Sequence, residues 1–94
     1  MLAVPDMRAK IARFRMRQGD LARELGLTDK TLSLFLNGRR ALPTDVHQRL
    51  SDLIEVRAQA LAEVERIRDE AEARAQRLLA EAGFPTDPRE VVAA

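Results

Sequence analysis

Ninety-four residues suffice for one small domain and are too few for two independent cores. With 46% apolar and 33% charged residues and three aromatics (Phe14, Phe35 and Phe84), the chain reads neither as wholly disordered nor as a membrane protein. The net charge of +1 hides an asymmetry: residues 1–43 carry nine Arg/Lys against four Asp/Glu, and residues 44–94 carry seven against eleven. A basic first half points to a polyanionic partner for that half alone. No apolar run approaches the roughly 20 residues a bilayer requires, and Met1–Asp6 lacks the features of a secretory leader. Without cysteine, and with one histidine, no disulfide, metal site or cofactor is expected. A cytoplasmic, all-α protein is the resulting expectation.

In chain order, the first predicted helix runs from Met7 to Met16, with Met7, Ile11 and Phe14 at helical spacing and Asp6 as its cap. A second short helix runs from Asp20 to Leu25 and is stopped by Gly26. A third begins after Thr28 and ends at Asn37-Gly38. Thr44 is read as the cap of a fourth, and no glycine or proline interrupts the 39 residues from Thr44 to Ala82. Unbroken, that helix is about 58 Å long at roughly 1.5 Å per residue. The expected organisation is a helical domain over 1–56, an amphipathic oligomerisation helix over 57–83, and a flexible tail over 84–94.

The informative block is Gln18–Pro43, QGDLARELGLTDKTLSLFLNGRRALP. Two steeply crossed short helices need a small residue where they meet, which Ala22 supplies. They need a turn residue tolerant of positive φ, which Gly26 supplies four residues later. Leu21, Leu25, Leu27, Leu32 and Phe35 furnish the packed faces, and Thr28 the cap of the second helix. This block resembles the helix–turn–helix of the phage repressor, Cro and Xre-like family. The resemblance rests on Gln18, Leu21-Ala22, Leu25-Gly26-Leu27-Thr28, Thr31-Leu32-Ser33, Asn37-Gly38-Arg39-Arg40 and Pro43, and covers about half the chain. It implies a dimeric double-stranded DNA-binding regulator whose second motif helix, 28–37, enters the major groove. Members often carry a short fifth helix where this chain has a long charged one.

On the outer side of the third helix, Asp29, Lys30, Ser33 and Leu34 are the base-reading candidates. Lys30 can donate to guanine, Leu34 can touch a thymine methyl, and Asp29 can accept from cytosine. For Asp29, compensation of the helix dipole is the stronger account. Leu34 has an equal claim to packing on a neighbour. The resemblance makes Gln18 a phosphate-binding residue at a helix N-terminus. Thr28, Thr31 and Asn37 join it as phosphate candidates, although Thr28 and Asn37 have capping roles. Arg39 and Arg40 stand in a loop that has no local need of two guanidiniums, so phosphate is their expected partner. Arg15 and Arg17 are either phosphate ligands or solvated side chains.

In the long helix Val46, Leu50 and Leu53 are expected to complete the domain core. Beyond Arg57 the apolar stripe of Leu61, Val64, Ile67, Ala71, Ala75 and Leu78 has nothing in its own chain to cover it, so a homodimer is expected through it. Burying its four large side chains gains roughly 6–12 kcal/mol gross per chain, at about 1.5–3 kcal/mol each. Arg57 and Arg74 fall where a regular heptad seam wants apolar residues, and the direction of pairing stays open. No enzyme signature is present. His47 has no partner ligand, and the carboxylates between Glu55 and Glu81 alternate with arginines as on a solvated face. Alternatives to a regulator are a DNA-recruiting assembly protein like a phage small terminase subunit, or an adaptor binding another protein such as RNA polymerase or a toxin.

Overall fold

The alternation of apolar stripes and stop signals folds into four helices in the computed structural model, which describes residues 1–84. They are α1 (Val4–Arg13), α2 (Gln18–Leu25), α3 (Asp29–Leu36) and α4 (Thr44–Glu81), and no strand occurs among the described residues. The all-α class and the long final helix match the expectation from sequence. Apart from Phe84, the tail expected over 84–94 lies outside the described residues.

All four helices close with the same pair of backbone hydrogen bonds, one spanning six residues and one nested inside it. In α2 the Leu27 N–H donates to the Ala22 carbonyl at 2.8 Å and Gly26 N–H to Arg23 at 3.2 Å. In α3 the donors are Arg39 to Leu34 at 2.8 Å and Gly38 to Phe35 at 3.0 Å, and in α4 Phe84 to Leu79 at 2.8 Å and Gly83 to Ala80 at 3.1 Å. The residue before the last donor must be left-handed, and in these three it is glycine. In α1 the same bonds run from Met16 to Ile11 at 2.9 Å and from Arg15 to Ala12 at 3.3 Å. There the left-handed position falls to Arg15, at φ 54°. The helix thus stops three residues before the Met16 predicted from spacing. An L side chain costs roughly 1–2 kcal/mol in that conformation, partly offset by the roughly 0.5–1 kcal/mol entropic penalty of glycine. Arg15→Gly is therefore expected to stabilise the fold by about 0.5–1 kcal/mol in urea unfolding.

The starts are less uniform. Thr28 caps α3, its Oγ1 accepting the Thr31 N–H at 3.1 Å. The N-cap of α1 is Ala3, with no side-chain bond, so Pro5 and Asp6 fall inside the first turn rather than ahead of it. Proline is suited there because a first-turn N–H has no helical partner to lose. Thr44 is likewise the first residue of α4 and not its cap, since the Pro43 carbonyl already accepts the His47 N–H at 2.9 Å.

The chain divides into two units, Met1–Ala62 and the residues from Glu63 onward. In the first, α3 packs on both α1 and α2. The core is Met7 and Ile11 of α1, Leu21 and Ala22 of α2, Leu32, Phe35 and Leu36 of α3, and Leu50 and Ile54 of α4. Leu53, Leu25 and Leu27 pack on it half-buried. Phe14, at helical spacing with Met7 and Ile11, is unlike them only half-buried, under the Arg13 guanidinium 4.8 Å from its ring centre. Two polar side chains of α4 hold the segment ahead of α1. Buried Ser51 accepts the Leu2 N–H at 2.7 Å, and His47 Nε2 lies 3.0 Å from the Leu2 carbonyl oxygen. The His47 ring also stands edge-on to Phe35 at 5.1 Å. A packing role accounts for this histidine. Further along, Ala58 is buried and Arg57 forms an ion pair with Glu24 of α2.

In the second unit the described residues continue α4. Arg66 pairs with Glu63 one turn before it and with Glu70 at 3.5 Å one turn after it. Val64, Ile67, Leu78 and Leu79 are exposed by 50%, 55%, 57% and 44%, far above what a monomer's core residues show. No helix among the described residues is long and apolar enough to cross a membrane.

Candidate nucleic-acid interface

Two helices of eight residues meet across Gly26, and the sequence determines which sides they bury. Leu21 and Ala22 of α2 are fully buried against α3, where anything larger than Ala22 would hold the helices apart. On α3, Leu32, Phe35 and Leu36 turn to the core. Leu36 stands one turn beyond Leu32, a signal sufficient to have identified it. Residues on the other side stay reachable: Asp29, Lys30 and Asn37 are exposed, and Thr31, Ser33 and Leu34 are half-buried. Lys30 extends from the first turn of α3, the part of a recognition helix nearest to base edges in a major-groove complex.

The hydroxyl groups on this side are committed locally without being exhausted. Thr28 Oγ1, while capping α3, also donates to Thr31 Oγ1 at 2.9 Å. Asn37 Nδ2 reaches Ser33 Oγ at 3.4 Å. Thr31 and Ser33 therefore each accept one bond and keep their own O–H to donate, the polarity a phosphate oxygen or a base acceptor requires. Asp29 stands apart from this pattern. A Cβ on Gly19 would lie 3.6 Å from both of its carboxylate oxygens. The acid sits in the first turn of α3 and beside the first turn of α2, where one negative charge compensates two helix N-termini.

The predicted phosphate residues fall into separate groups. Gln18, the first residue of α2, and Asn37, just past α3, line one groove of about 550 Å³ together with Arg8 and Pro5 of α1. No side chain caps α2 at Arg17. Arg8 is an addition that the sequence reading did not single out. Its only signal is its place next to the buried Met7. Arg15 and Arg17 instead line a second groove of about 420 Å³ with Phe14, Asp20, Arg57 and Leu61. Arg39 and Arg40 are exposed in the loop after α3. Among the described residues no cluster of His, Cys, Asp or Glu is arranged to hold a metal ion.

Comparison with known proteins adds no relative: no family model matches the chain, and neither a curated protein nor a solved structure matches it significantly.

Proposed function

We propose that the chain is a dimeric, sequence-specific regulator that binds double-stranded DNA, with α3 in the major groove and α2 across the backbone. The observation that carries this reading is the α2–turn–α3 pair itself. It has a buried alanine at the crossing, a left-handed glycine in the turn and a capped second helix, whose outer side offers Lys30, Ser33 and Leu34. Side chains of this kind read base edges: ammonium to guanine, hydroxyl to either partner, methyl-rich carbon to thymine. Around them Gln18, Arg8, Arg39 and Arg40 supply the donors and positive charge that fix a duplex by its phosphates. Asp29 belongs to the helix N-termini rather than to the bases. Pairing through the exposed stripe of α4 gives the protein a two-fold axis, so its operator is a (pseudo)palindrome.

Binding of the purified protein to random genomic fragments, followed by anisotropy titrations on the enriched sequence, tests the reading. Lys30→Ala is expected to lose about 1–3 kcal/mol on the operator and to relax the preference at one base pair. Arg39→Ala and Arg40→Ala are expected to weaken all sequences alike. Each should reduce the slope of log K against log salt by about 0.9. An arginine variant that changed base preference with the salt slope intact would refute the phosphate assignment. Absence of any enriched duplex would refute the function.

A further inference from the structure

The apolar stripe of α4 repeats every eleven residues, and its two halves are complementary in size. Val56, Ile67 and Leu78 are one set at that interval, and Ala60, Ala71 and Ala82 are a second. Val64 and Ala75 stand eleven apart as a third. Eleven residues make three turns at 3.67 per turn, so these positions drift by only about 20° per eleven residues on an α-helix, in the sense opposite to a heptad's. Ala82 remains on the ladder, its N–H bonded to the Leu78 carbonyl at 3.1 Å. Val56 is 62% exposed, as open as the stripe beyond it.

A second copy is the occupant this stripe fits, and the sizes choose its direction. In a parallel pair each residue meets itself, so layers of two alanines are interspersed among layers of two large side chains. Stiff helices cannot follow that variation, and the alanine layers are left as voids. In an antiparallel pair centred on residue 69, Ala82 faces Val56, Leu78 faces Ala60 and Ala71 faces Ile67, while Ala75 meets Val64 one residue off level. Every layer then joins one alanine to one larger side chain, and the separation between the helices is constant.

The flanks agree. On one side Glu63 comes near the level of Arg74 of the other copy, and on the other Arg68 near that of Glu72, within about two residues of register. Leu61 and Leu79, 37% and 44% exposed, meet beside them.

We infer that α4 pairs with a second copy of this chain in the antiparallel sense, through an eleven-residue repeat centred on residue 69. This rests on the reading of α4 as the dimer seam and adds to it a direction and a register. The chain has no cysteine of its own, which allows a disulfide test on the full-length protein. Ala60→Cys and Leu78→Cys are prepared separately, confirmed to be helical and dimeric by circular dichroism and light scattering, then oxidised alone and after mixing. A covalent dimer is expected in the mixture and about tenfold less in either alone, because only facing positions bring Cα atoms within disulfide reach. Closure of Ala60→Cys on itself overturns the antiparallel direction and leaves the dimer. A monomeric mass, or a dimer that closes in no combination, overturns the seam as well. Neither measurement involves DNA, so failure of the DNA-binding reading is separately visible.

Discussion

Leu32→Ala is expected to lower the unfolding free energy of the first unit by about 2–5 kcal/mol. Leu32 is fully buried on α3, the helix that packs on both α1 and α2. Removing three carbons there opens a space that neither neighbour can fill by itself. A unit of this size has only about 3–9 kcal/mol in all, at roughly 0.05–0.15 kcal/mol per residue, so the variant loses much of its stability. Urea titration followed by amide exchange in α1–α3 checks this, since the signal of α4 alone would mask it in circular dichroism. Leu34→Ala, two residues along the same helix but half-buried, is the control: it is expected to cost less than about 1 kcal/mol. If Leu34 cost as much as Leu32, it would be a core residue, and the outer side of α3 would no longer be available to DNA.

That contrast was legible in the chain because helical period separates positions two apart by nearly opposite directions. The ends of α2 and α3 were legible for an equally local reason, since glycine and a capping threonine act within one turn. What the sequence hid was settled at longer range. Arg15 gives no sign of a left-handed residue, so α1 was read three residues too far. Ser51 and Ala58 look like ordinary residues of an amphipathic helix, yet both are buried, Ser51 under the segment around Leu2. The basic residues show the same limit. Gln18 and Asn37 share a groove with Arg8, whereas Arg15 and Arg17 line another with Arg57, a division set by how α1 and α4 pack and not by spacing. Asp29 is a further case: its proximity to Gly19 depends on the angle between two helices.

The largest functional effect is expected from charge placed in the exposed stripe of α4. Val64→Asp with Ile67→Asp should convert a dimer into a monomer at micromolar concentration and lower operator affinity by about 10²–10⁴-fold. Each of the two side chains offers about 1.5–3 kcal/mol on burial, and both copies lose both of them. Association costs an estimated 4–15 kcal/mol before any of this is gained, so what is left of the stripe does not hold two chains together. Four carboxylates carried into an apolar seam oppose contact further. The first unit should be untouched, because Val64 and Ile67 lie in the other unit and are 50% and 55% exposed. Its urea midpoint serves as the check on folding. Light scattering reads the mass, and anisotropy on full and half operators reads the coupling. The monomer should bind a half-site as the parent does and lose its advantage on the full site, because the second motif no longer arrives with the first. A double variant that stayed dimeric would place the interface elsewhere on the chain. One that became monomeric yet kept full-site affinity would sever dimerisation from DNA binding and leave α3 to act alone.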